Sequence, residues 1–249
     1  SEEYASFWNE RSNTSEFNLF LDPIEANYGE VKQAGLVDCP KLRERYEKFL
    51  RSEGYLDDST FNYDALSMDD SGVIYKGLNY DHVIFCDGPF ISHNPHFNWL
   101  PFKIAKGDWI VVETEETLPE RIVNNVINII PLGQNQYKLS STFEWETEIW
   151  RPNPDQITAL VKAFQEIYPV SYKVINHQSG LRPAASDRRP YLGRHPRLRN
   201  ISVFNGLGSK GVILAPFFSK HLIDHLVDDL PLMKDVDIKR HIKRFQAAH

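Results

Sequence analysis

Gly206-Leu-Gly208-Ser-Lys210-Gly211 is a G-x-G-x-x-G string. It lies between a short apolar run, 201–204, that reads as a buried strand and a run, 212–227, with helical apolar spacing. A strand–glycine turn–helix join brings the unpaired N–H groups of a helix N-terminus close to an anionic or electron-rich group. A Cβ at the glycines would block that approach or forbid the turn. A dinucleotide fingerprint, however, opens a βαβ unit and is followed about 20 residues later by an acidic residue ending a second strand. Here Asp228 and Asp229 follow the helix directly, and Leu230-Pro231-Leu232 leads into another charged helical pattern. The string is therefore not read as a pyrophosphate cradle.

Other candidate chemistry is weaker. His93-Asn-Pro-His96 has metal-ligand spacing but sits in a proline-containing loop without a third ligand, so no metal is expected. Arg182, Arg188, Arg189, Arg194, Arg197 and Arg199 form a basic run, which Pro183, Pro190 and Pro196 break into turns, so its charges cannot line one helix face. A net charge of −6 also argues against global nucleic-acid binding. No Ser/His/Asp or Cys/His nucleophile arrangement stands out, and no side chain is assigned as catalytic. Two cysteines, Cys39 and Cys86, make no disulfide framework, and a cytoplasmic setting is expected. The apolar run 126–130 is strand-sized, far short of a membrane span. The acidic start, Ser-Glu-Glu-Tyr, is no secretory signal.

The elements that must position these residues follow from apolar spacing. At 249 residues the chain has room for one large or two small domains. The pattern predicts helices over 1–12, 40–51 (with Gly54 just past its end) and 235–245, and extended segments through 13–37. Strands are predicted at 73–76, 82–86, 108–113, 126–131 and 137–143, with Gly133-Gln-Asn135 as a hairpin turn. Asn153-Pro154-Asp155-Gln156 reads as an N-cap opening a helix that stops before Pro169. Trp145, Trp150 and Tyr137 suit either a cavity wall or an aromatic core. The order predicts an α/β fold, α+β in the middle, with an antiparallel sheet there.

From 180 to 227 the residues run Gly180-Leu-Arg182-Pro183, then Asp187, Pro190-x-x-Gly193, a strand, the glycine turn with Lys210, and Leu214-Ala-Pro216. This resembles the C-terminal signature of the D-amino-acid oxidase family of flavoproteins, which includes glycine oxidase and sarcosine oxidase. Ala34-Gly35-Leu36-Val37-Asp38, the segment from Tyr80 to Gly88, and Lys106-Gly107 are weaker matches in the right order. The resemblance implies a partial FAD-binding Rossmann-like domain (30–90 and 178–235) and an antiparallel-sheet substrate domain (1–29 and 91–177). It also implies FAD held non-covalently, because no cysteine falls in the Gly180–Pro183 segment. Gly88, Gly206, Leu207, Gly208, Ser209, Lys210, Gly211 and Val212 would lie at the flavin. Arg182, with Lys210 assisting, would hold a substrate carboxylate; the alternative is a structural arginine pairing with Asp187 or a sheet end. The activity implied is oxidation of the C–N bond of an amino acid or secondary amine by hydride transfer to flavin N5. The family's N-terminal Gly-rich fingerprint has no match, so the chain is expected to be the C-terminal two-thirds of such an enzyme. A non-catalytic substrate-domain module and a tRNA-modifying flavoprotein are the alternatives.

Overall fold

A computed structural model describes residues 8–11, 28–31, 35–69, 72–140, 142–145 and 150–248. The first elements are β1 (Trp8–Arg11), β2 (Tyr28–Val31), α1 (Cys39–Ser52), β3 (Leu66–Asp69), β4 (Gly72–Tyr75), β5 (Leu78–Tyr80) and β6 (Val83–Phe85). The central strands are β7 (Ala105–Thr114), β8 (Val123–Asn124), β9 (Asn128–Gly133), β10 (Gln136–Ser140) and β11 (Glu144–Trp145). Then come α2 (Pro154–Ile167), β12 (Tyr172–Arg182), β13 (Tyr191–Arg194), β14 (Ile201–Asn205), α3 (Gly211–Asp228) and α4 (Ile242–Ala248). No helix among the described residues is long and apolar enough to cross a membrane.

The chain divides into two compact units, and β7 and β12 each continue from one into the other. The first unit comprises Ser1–Asp58, Asp108–Thr142 and Arg151–Ser179. Its frame is antiparallel: β10 pairs β7 on one side and β9 on the other, and β9 pairs β8. Gln134 and Asn135, both with positive φ, make the tight β9–β10 turn whose twist suits a hairpin. One face of this sheet carries Ile110, Val112, Ile129 and Leu139. These pack against Leu160, Val161, Phe164 and Ile167, which recur at helical spacing along α2. Burying a side chain such as Phe164 contributes about 1.5–3 kcal/mol. In α1, the Asp38 carboxylate accepts the Lys41 N–H at 3.0 Å and Gly54 turns left-handed after the last turn. The helix expected over 1–12 is corrected at Trp8–Arg11, which is a strand paired antiparallel with Tyr28–Val31. Hydrogen bonds from a distant segment outweigh local spacing there; residues 1–7 and 12 lie outside the described residues.

The second unit comprises Ser59–Gly107, Phe143–Trp150 and Gly180–His249. β14 pairs β6 in parallel and β13 antiparallel, while β3, β4 and β5 form a meander. α3 packs Phe218 and Leu222 against Leu192, Leu232 and Val236. The helix expected over 235–245 begins later than predicted. The Asp237 carboxylate accepts the Lys239 N–H at 2.8 Å and opens a 3-10 turn, Ile238–His241, before α4. Ile238 and Phe245 reach the core from this tail.

Candidate active site

Parallel pairing puts the carboxyl ends of β6 and β14 at one edge of their sheet, the usual place for a ligand in such folds. Each strand is followed by a left-handed glycine, Gly206 immediately after β14 and Gly88 after β6 with Cys86 and Asp87 between: Gly88 has φ +59° and Gly206 φ +74°, with Gly208 at +57°. Asn205, the last residue of β14, joins the two ends. Its Nδ2 donates to the Gly88 carbonyl at 3.0 Å, and its Oδ1 accepts the Gly206 N–H at 2.8 Å. Behind Gly88, Asp87 accepts from Asn94 Nδ2 at 2.6 Å. Burial raises the Asp87 pKa, although hydrogen bonds from Asn94 and Tyr63 oppose it. The Tyr63 phenol is itself pushed up to about 12, by burial first and then by Asp87. Nothing lies within 4 Å of where a Cβ of Gly88 would stand, so the bend opens onto free space.

Leu207 and a 3-10 turn, Gly208–Lys210, deliver the chain into α3. No side chain caps the N-terminus of this 18-residue helix, and its first turn holds no acidic residue. Its leading N–H groups and the positive end of its dipole therefore suit an electron-rich group. Ser209, Lys210 and Val212 are exposed around it and Gly211 is half-buried.

Arg182 arrives at the same place from the end of β12. The Gly208 N–H donates to the Pro183 carbonyl at 3.1 Å, and Ala184 bridges Leu207. On the other side, Lys103 N–H donates to the Ala184 carbonyl at 2.8 Å, and Phe102 bridges Ala185. The backbone carrying Arg182 is thus clamped against the glycine turn. The guanidinium lies over Gly107 and has its Cζ 4.5 Å from the Phe143 ring centroid. Burial lowers its pKa from the ordinary value while leaving it a cation. Asp187, the alternative partner, is bound by Arg240 instead, at 2.8 Å. One residue along from Gly107 and Phe143, Lys106 and Glu144 face each other across β7 and β11 and join at 2.9 Å.

Apart from Trp145, whose ring stacks at 6.1 Å on Phe143 beside Arg182, the other sequence candidates go elsewhere. Tyr137 belongs to the first unit's core, its hydroxyl donating to the Leu118 carbonyl at 3.1 Å, so it walls no cavity. Trp145 and Trp150 are exposed. Arg194 binds Asp229 and the Leu226 carbonyl at the C-terminus of α3, both at 2.9 Å, a favourable place for a cation. Arg189 pairs with Asp235, and Arg197 lies over Phe245. Among the described residues no three His, Cys, Asp or Glu side chains gather as metal ligands. Sequence reasoning missed Asn205, Gly107 and Phe143. An asparagine directly before the glycine string was a signal for the first; the other two depend on strand pairing.

The family described as FAD dependent oxidoreductase (DAO) matches residues 31–225. A glycine oxidase of Bacillus subtilis (strain 168) is 26% identical over 141 residues, which are 55% of this chain and 36% of that relative. The glycine oxidase of Pseudomonas putida KT2440 is 26% identical over 137 residues, 54% of this chain and 38% of the relative. Among solved structures, glycine oxidase from Geobacillus kaustophilus superposes with a TM-score of 0.73 at 22% identity, covering 88% of this chain and 61% of that one. Iminodiacetate oxidase from Chelativorans sp. BNC1 gives 0.75 at 20%, covering 96% and 68%. The matched region thus spans little more than a third of the curated relatives.

Proposed function

Because the chain belongs to the DAO family of FAD-dependent oxidoreductases, we propose that the whole protein oxidises the C–N bond of an amino acid or secondary amine whose carboxylate Arg182 holds. The observation that carries this reading is the hydrogen bond from Gly208 N–H to the Pro183 carbonyl, which ties the arginine-bearing strand end to the glycine turn. FAD, bound non-covalently, supplies the hydride acceptor. The residues present fit its electron-rich edge. Gly88, Gly206 and Gly208 bend away without Cβ atoms, and the uncapped first turn at Gly211 and Val212 offers N–H donors. Leu207 and Ser209 carry the backbone between them, and Lys210 adds a positive charge at the helix start.

Arg182 presents a planar fork that grips a carboxylate through two parallel hydrogen bonds and so fixes both charge and orientation. The amine enters neutral, so no side chain is assigned to take its proton. Glycine and iminodiacetate, for which the relatives are named, are both amines bearing a carboxylate. The test uses the whole protein saturated with FAD. Arg182→Ala is expected to raise KM for a carboxylate substrate on the order of 100-fold, the loss of two charge-assisted bonds. KM for an amine without a carboxylate should barely move. Equal effects on both substrates, or a protein that takes up no flavin, would refute the proposal.

A further inference from the structure

Phe143 and Trp145 are exposed, at 55% and 50%, and belong to none of the core clusters. They flank Glu144 and so stand on one face of the strand. Their rings stack at 6.1 Å and 25°. Glu144, pointing the other way, is joined to Lys106, which is only 3% exposed. A buried lysine is costly unless paired, so this ion pair pins the short strand and its register against β7. The two rings are thereby held outward on a fixed frame. A cation attends each: Arg182 over Phe143, and Lys103 Nζ at 5.1 Å from the Trp145 ring centroid.

An anion anchor at one end of a rigid apolar surface matches a particular ligand shape: a carboxylate with an apolar group beside it. Resting on the carboxylate role of Arg182, we propose that the site takes amino acids carrying an apolar side chain or N-substituent, laid along Phe143 and Trp145, in preference to glycine. Glycine would leave both rings in water and gain nothing from them. An apolar substituent removes ring and ligand surface from water together.

The probes are ether analogues that keep the carboxylate and have no nitrogen to oxidise: methoxyacetate and benzyloxyacetate, titrated calorimetrically into the FAD-saturated protein. Benzyloxyacetate is expected to bind about tenfold tighter, the factor one good aromatic contact supplies. Phe143→Ala and Trp145→Ala, at exposed positions where truncation leaves the fold intact, should each erase most of that ratio. Trp145→Ala, whose ring does not touch Arg182 in the way Phe143 does, should also leave methoxyacetate binding within about twofold. Equal binding of the two probes, or a ratio that survives both ring variants, overturns the proposal and points to a role for the rings in contacting another protein. Unchanged binding of both probes in Arg182→Ala overturns the carboxylate anchor itself, a failure distinct from that of the rings.

Discussion

Arg182 owes its position to a neighbour without a side chain. A Cβ on Gly107 would stand inside the guanidinium, so the arginine rests on β7 only because glycine occupies that strand position. The displaced group would be the far end of a flexible side chain, which moves at small cost to the fold. Gly107→Ala is therefore expected to shift the thermal midpoint by no more than about 4 °C, roughly 1 kcal/mol. It should raise KM for a carboxylate substrate nearly as much as Arg182→Ala does. Measuring both quantities on one preparation separates displacement from unfolding: an unchanged KM would show that the guanidinium does not act from over Gly107. Lys106-Gly107 is recognisable in the sequence as the start of a sheet. Its contact with Arg182 is not, because the two meet only through strand pairing across a long stretch of chain.

At the scale of elements, what was legible was what the chain decides locally. Asn153 caps α2, accepting the Asp155 N–H on its side chain at 3.1 Å, and the cap, the proline and the apolar face are all adjacent in sequence. The same holds for α1, α3 and the Gly133–Asn135 turn. Illegible were the features with distant partners: β1 needs Tyr28–Val31, β11 needs the start of β7, and the tail bends where Asp237 caps a 3-10 turn. The candidate site divides the same way. Its glycine string and Gly180–Pro183 segment stand out in sequence, while their mutual contact is a tertiary fact. The local cap gives a clean measurement. Asn153→Ala removes the side-chain acceptor but keeps the Asn153 N–H bond to Asp108 Oδ1 at 2.8 Å. Urea denaturation should show a loss of about 1 kcal/mol with an unchanged slope. No loss would mean that the cap is replaced by water without cost.

Stability against acid belongs to the molecule as a whole, and two groups that anchor the tail bias it in one direction. Burial alone would push the Asp187 pKa up. Hydrogen bonds from Arg240, with the Arg189 N–H and nearby positive charge, outweigh it and leave the carboxyl below its ordinary value. Burial, then the Arg240 charge, lowers the His241 pKa, and Asp187 restores only part. In both cases the unfolded chain takes up its proton at a higher pH than the folded one, so acidification favours unfolding. The His241 contribution is complete above about pH 6.5 and is lost as pH falls through its lowered folded value. The Asp187 contribution is complete above about pH 3.9 and is lost as pH falls below that. Asp187→Asn mimics the protonated carboxyl and should be less stable than the parent at pH 7. The gap should close as the parent's own Asp187 is protonated. Urea midpoints for the two proteins between pH 7 and pH 3 measure this directly. A gap that stays constant across that range would mean that the Arg240–Asp187 contact holds the tail by packing rather than by charge.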